Sequence, residues 1–217
     1  HIKTKIDYLV GLEKQQRIDP KALPRTPKHE SDADGATEAL RYVAEEQDYD
    51  AKRSAVWRNM LVEGFGGVGV SVAEATDYSG KPGIEVRIRR YSWDRLFFDP
   101  HSSETDFSDA GYLGAVLWMD YDDALAMYRD NSDAANILDT TLTTAPSDTY
   151  DDKPKHSLWA DKKRKRVRIC QIWVKRDEQW HFAEYTKGGI LKAGPSPYKT
   201  DKGESDCELV LQSAYCD

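Results

Sequence analysis

No stretch of the chain approaches the ~20 consecutive apolar residues that a membrane-spanning helix needs. The first residues show no charged-then-apolar leader pattern either, so no membrane partner is expected. Cysteine is scarce. Cys170, Cys207 and Cys216 are odd in number and far apart, which gives neither a disulfide framework nor a metal knuckle, and reduced thiols are expected. The five histidines, His1, His29, His101, His156 and His181, are scattered, and none stands in a helical metalloenzyme pattern with a second ligand. Ser, Cys and His fall in no nucleophile elbow or thiol-protease setting. No internal repeat is present. Neither catalysis, a metal nor a cofactor is therefore expected.

What is abundant is aromatic and charged. Six Trp and twelve Tyr in 217 residues argue for packed structure, because disordered chains are poor in aromatics. The net charge of −7 hides a strong asymmetry. Between Asp99 and Asp152 thirteen acids face one base, Arg129, whereas between Lys153 and Arg176 ten bases face one acid, Asp161. Two solvated faces are the plain expectation, and a tie between neighbouring segments or subunits is the alternative.

Along the chain, Ile2, Ile6, Leu9 and Val10 recur at helical spacing and predict a helix from His1 to about Gln16. Pro20, Pro24 and Pro27 then impose an extended connector. A second helix is predicted from Ser31 or Asp32 as N-cap, with Ala36, Leu40, Val43 and Ala44 inward. A third spans about Tyr49 to Glu63 and ends at Gly64 in a left-handed cap. After that the period drops to two. Val68, Val70 and Val72, a turn at Tyr78–Gly83, and Ile84, Val86 and Ile88 alternating with Glu85, Arg87 and Arg89 predict a β-hairpin. Strands are also predicted at Gly111–Met119, Val167–Lys175, Gln179–Thr186 and Cys207–Ala214, with a short helix at Tyr121–Arg129. Gly188-Gly189 and Gly194-Pro195-Ser196-Pro197 are read as turns, and residues 130–165 as a long loop or excursion. The fold class is α+β: N-terminal helices, then a mostly antiparallel sheet with an inserted short helix. Two parts are expected, a helical segment over 1–66 with its proline-rich connector and a β-rich domain over 67–217. Expected core residues are Trp57, Met60, Val70, Val86, Ile88, Leu117, Ile169, Ile172 and Val210.

Three patterns invite a chemical reading. Gly64-x-Gly66-x-x-Gly69 fits the dinucleotide fingerprint by letter, but that chemistry needs strand, glycines, then a helix N-terminus. Here the order is helix, glycines, strand, so a tight hinge is expected. Asp99, Glu104, Asp106 and Asp109 cluster as hard cations favour, but without EF-hand spacing; Asp99-Pro100 and Ser108-Asp109 work as turn and cap residues, so a structural loop is expected. Lys162, Lys163, Arg164, Lys165 and Arg166, flanked by Trp159 and Trp173, form a candidate nucleic-acid surface or a candidate protein interface.

Three consecutive stretches carry a resemblance. Gly11 with Gln15-Gln16-Arg17 precedes the connector; Ser54-Ala55-Val56-Trp57-Arg58-Asn59-Met60 leads into Gly64-Phe65-Gly66 and a valine strand. Asp99-Pro100, Asp106 and Ser108-Asp109-Ala110 then lead to a strand ending in Trp118-Met119. In this order the chain resembles the portal proteins of short-tailed bacteriophages, from about Asp7 to Tyr215. Gly64, Gly66, Asp99, Pro100, Asp106 and Asp109 are its structural-motif residues. The stem, clip and crown of such proteins have no counterpart here, so the resemblance implies a wing-region fragment of a longer chain.

That resemblance implies a structural role in a ring, usually of twelve subunits, at one capsid vertex of a phage or prophage particle made in the bacterial cytoplasm. DNA would pass through the parent ring during packaging and ejection. Partners would be other portal subunits and coat, scaffolding, terminase and head-completion proteins. Arg87, Arg89 and Lys162–Arg166 are the candidate interface residues. The alternatives are a nucleic-acid module using residues 162–166 and a hydrolase using paired carboxylates.

Overall fold

The structure, a computed structural model, describes residues 1–24, 26–76, 80–145, 158–200 and 202–214. The fold is α+β. By its contacts the chain forms two compact units, one of His1–Trp93, Thr105–Phe107 and Glu208–Asp217, the other of Asp94–Glu104 and Ser108–Cys207. This division differs from the one expected at 66/67. The first two strands stay with the helices because strand one packs directly on the third helix and pairs with the last strand.

In the first unit, α1 (Ile2–Gln15) leads through the connector to a 3₁₀ turn at Pro27–His29 and on to α2 (Glu30–Glu46). The expected caps Ser31 and Asp32 lie inside α2, because Pro27 starts the helical turn earlier with its preset φ. α3 (Tyr49–Glu63) follows, with Asp48 in the left-handed region at the reversal. The connector is tied to α2 where Thr37 Oγ1 accepts the Ala22 N–H at 3.0 Å and donates to the Ala33 carbonyl at 2.8 Å.

A three-stranded antiparallel sheet completes the unit, in the order β2 (Pro82–Arg90), β1 (Phe65–Thr76), β9 (Leu209–Ser213). Cross-strand partners share a face. Val70 opposite Ile88 and Val72 opposite Val86 therefore lie together, and Ser71 opposite Arg87 and Gly69 opposite Arg89 lie on the other side. The part of the hairpin turn at residues 77–79 lies outside the described residues.

The second unit holds a six-stranded sheet. Its order is β3 (Leu96–Phe98), β4 (Tyr112–Asp120), β6 (Arg166–Arg176), β7 (Gln179–Thr186), β8 (Gly189–Pro195), with β5 (Ala160–Asp161) also pairing β6. Among the described residues these pairings are all antiparallel. α4 (Tyr121–Met127) and α5 (Ala134–Thr143) pack with this sheet, and Leu138, Val167 and Ile169 are fully buried at the centre of the cluster. The β6–β7 turn places Asp177 and Glu178 both at positive φ, the signature of a two-residue hairpin turn that follows the strand twist.

Three expectations need correction. Residues 130–165 are not one loop: α5 and β5 lie within them, while 146–157 fall outside the described residues. Ala134, Leu138 and Thr141 sit at helical spacing and bury together, and the Thr141 hydroxyl bonds the Ile137 carbonyl at 2.9 Å, so a Thr- and Asp-rich composition still supports a helix. β8 occupies Gly189–Pro195 and takes in residues of both glycine clusters read as turns, with Leu191 buried and Pro195 at the strand end, where no ladder donor is needed. Of the expected core residues, Ile169 is fully buried, but Val210 is 56% exposed because Leu209 and Leu211 take the inward parity of β9. Trp57, Met60, Val70, Val86, Ile88, Leu117 and Ile172 are half-buried.

Leu138→Ala should destabilise the second unit by about 2–5 kcal/mol, the usual cost of deleting a fully buried leucine side chain. Denaturant unfolding followed by the fluorescence of buried Trp173 measures it.

Candidate functional site

The acidic loop between β3 and β4 is tied together by its own carboxylates. Asp99 Oδ1 accepts the His101 N–H at 3.0 Å, and Asp99 Oδ2 accepts the Gly111 N–H at 3.0 Å, closing both ends of the loop. Asp109 takes hydrogen bonds from the Ser102 hydroxyl, the Ser103 N–H at 2.7 Å, the Ser103 hydroxyl at 3.1 Å and the Glu104 N–H at 3.4 Å. The Ser102 hydroxyl, followed by the Ser103 amide, draws the Asp109 carboxyl down to a pKa of about 2. The His101 amide, then that of Gly111, likewise lowers Asp99. Two carboxylates so occupied have few lone pairs left for a cation. Among the described residues no group of three or more His, Cys, Asp or Glu is arranged to hold a metal ion. Pro100 is exposed in the turn beside Asp99, and Asp106 is exposed in the 105–107 segment of the first unit.

The glycines of the fingerprint-like run form a hinge. Gly64 ends α3 at φ 85°, a conformation glycine adopts without strain. At Gly66 an added Cβ would lie 2.9 Å from the Val56 carbonyl oxygen, so α3 and β1 pack backbone to backbone there. Gly69 lies within β1, and no helix follows the run.

The basic run forms the turn between β5 and β6. Asp161 Oδ1 accepts the amides of Lys163 at 3.0 Å and Arg164 at 3.2 Å. The Lys162 ammonium donates to the Thr143 carbonyl at 3.1 Å, where a cation complements the C-terminal end of α5. Arg166 pairs with Asp120 at 3.0 Å and donates to the Trp118 carbonyl at 2.9 Å. The flanking tryptophans are not free to stack on bases. Trp173 is buried against Phe182 and Tyr198, and the Arg168 guanidinium stands 5.3 Å over the Trp159 ring. Lys163, Arg164 and Lys165 are exposed. Arg87 and Arg89 are exposed on β2, in the other unit, and Arg87 pairs with Glu85 at 3.3 Å.

One site was not anticipated. Glu13 on α1 accepts from Arg17 at 3.0 Å and from the Ser54 hydroxyl at 2.7 Å, and pairs with Arg53 at 3.2 Å; Arg17 also pairs with Asp50 at 3.0 Å and donates to Ser54. Burial raises the Glu13 pKa, but the bonds from Arg17 and Ser54 and the charges of Arg17 and Arg53 more than offset it, leaving the carboxyl below its ordinary value. The Glu13–Arg17 spacing of four residues is legible in sequence; the link to Ser54 forty-one residues away is not. Beside this network lies a cavity of about 450 Å³ lined by Leu9, Leu12, Val56, Trp57 and Met60.

The carboxylates held in turns, the glycines in close packing and the cations at strand and helix ends each have a structural job in this fold. The particular family follows from comparison: the model of the phage P22-like portal proteins matches residues 1–212, and the chain belongs to that family. No curated protein matches the chain.

Asp109 should titrate near pH 2 and not near 3.8, as carboxyl NMR would read it. Because its folded pKa is depressed, its support of the loop is present in full above the ordinary value and is lost as pH falls through about 2. Asp109→Ala should speed amide exchange at Ser103 and Glu104 by about tenfold, the worth of one ordinary hydrogen bond.

Glu13→Gln should lower the stability of the first unit by about 1–3 kcal/mol, as expected for charge-assisted bonds at a nearly buried site. Equilibrium unfolding at neutral pH checks this. The difference between variant and parent should shrink as pH falls through the depressed Glu13 pKa.

Proposed function

We propose that this chain is the wing part of a portal subunit, scaffolding the periphery of a ring at one capsid vertex through which the phage genome is packaged and later ejected. The observation that carries the reading is the family match over residues 1–212, almost the full length of the chain. In this reading both compact units are parts of that wing. The ring holds twelve copies made in the host cytoplasm, and it meets coat, scaffolding, terminase and head-completion proteins through the parent chain. Contacts fall to exposed cations, Arg87 and Arg89 on β2 and Lys163–Lys165 at the β5–β6 turn. No helix of the described residues is long and apolar enough to cross a membrane.

The role is mechanical and not catalytic, a reading supported by Asp99 and Asp109, whose oxygens are taken up by their own loop. A nucleic-acid role for residues 162–166 is disfavoured by burial of Trp173.

The test is location. A tag inserted at the exposed Gly203 turn of the parent protein should label a single vertex per particle in electron micrographs of opened capsids, and disrupting the chain should leave DNA-free shells. Label at every vertex, or normal filled heads without the protein, would remove the portal reading.

A further inference from the structure

We infer that the basic outer edge of β2 receives the acidic helix α2 of a second copy of this chain, making a head-to-tail contact between neighbouring subunits. The inference rests on the portal reading and adds to it the surface involved. Along the outer edge of β2 lies a depression of about 450 Å³ whose lining includes Lys52, Arg87, Arg89 and Arg90, with Glu85 the single acid. Arg87 shares Glu85 at 3.3 Å. Among the described residues Arg89 and Arg90 have no ion-pair partner, and both are exposed. The strand edge itself is partly closed: Gln47, just past the end of α2, accepts the Ile88 N–H at 3.1 Å and donates to Glu85 at 3.3 Å. The available binding energy is therefore in the charged side chains and not in strand pairing.

The complement is on α2. Glu30, Asp34 and Glu38 stand four residues apart, so they form one exposed stripe, and Tyr42 continues it at 65% exposure. Like charges at this spacing repel within a helix, and among the described residues none of the three has an ion-pair partner. A guanidinium set against this stripe meets carboxylates for bidentate bonds and an aromatic face to stack on.

Among the described residues no ion pair joins the two patches within one molecule. Gln47 pins the C-terminal end of α2 to β2, and at 1.5 Å per residue Asp34 lies ~20 Å back along the helix from that point. The basic edge of β2 thus lies beside the C-terminal end of α2, and the acidic stripe starts at the helix's other end, at Glu30 and Asp34. Two unlike patches on one body give a heterologous contact, the kind that closes rings.

Sedimentation of the 217-residue chain at low salt, where exposed charges are least screened, reads the contact directly. The parent chain should self-associate, and the association should weaken at least tenfold in high salt. The triple variant Arg87→Glu, Arg89→Glu, Arg90→Glu should be monomeric alone, and so should Glu30→Lys, Asp34→Lys, Glu38→Lys, each with an unchanged circular dichroism spectrum. Their equimolar mixture should associate again, since each carries the charge the other needs. A mixture that stays monomeric, a parent chain monomeric under all conditions, or variants that associate like the parent would each overturn this contact. So would loss of binding to a DNA duplex in the arginine variant with self-association intact. None of these outcomes bears on which capsid vertex the protein occupies, so the portal reading is judged separately.

Discussion

Everything in the second unit hangs on one antiparallel ladder, the nine-residue pairing of β4 with β6 from Tyr112 opposite Val174 to Asp120 opposite Arg166. A strand's side chains alternate with a period of two, so this register alone decides which residues turn inward. On β6 it sends Val167, Ile169, Gln171 and Trp173 to the buried side. Because β4 and β6 lie far apart in sequence, their pairing also folds α4 and α5 back beside the same sheet, where Leu138 meets Val167 and Ile169. The same parity places the buried Gln171 opposite Glu184, where the two are hydrogen-bonded across the strands and neither is left unpaired in an apolar setting.

Polar groups in this protein chiefly close local structure. Asp99, Asp109 and Asp161 each collect amide or hydroxyl donors of their own turns. Lys162 and Lys187 donate to the last carbonyls of α5, at Thr143 and Thr144. The Glu13 network does the corresponding work between α1 and α3, elements that share few fully buried apolar side chains. What charge remains is exposed and sorted by sign along α2, β2 and the β5–β6 turn. That is the material from which contacts between subunits of an assembly are made.

Much of the fold was legible in the sequence. The third helix, expected at Tyr49–Glu63, and β7, expected at Gln179–Thr186, are found there, and the expected β1–β2 hairpin forms, with the register bringing Val70 opposite Ile88. These elements have strong periodicity and clear boundary residues. α5 was missed because threonine and aspartate suggest loop, and only packing of Leu138 tips that stretch to helix. The candidate surfaces were half legible: the exposed arginines of β2 follow from alternation, but the burial of Trp173 and the covering of Trp159 by Arg168 do not.

The α+β class, the order of helices before strands and the motif order of a phage portal protein can be read from the residues alone, because each depends on local period or on residues close together in the chain. That β1 and β2 belong with the helices, that Leu209 and Leu211 face inward while Val210 does not, and that Glu13 meets Ser54 emerge from the folded chain. Those are matters of register and of distant segments meeting. A one-residue shift of parity reverses them without changing the alternating pattern from which a strand is read.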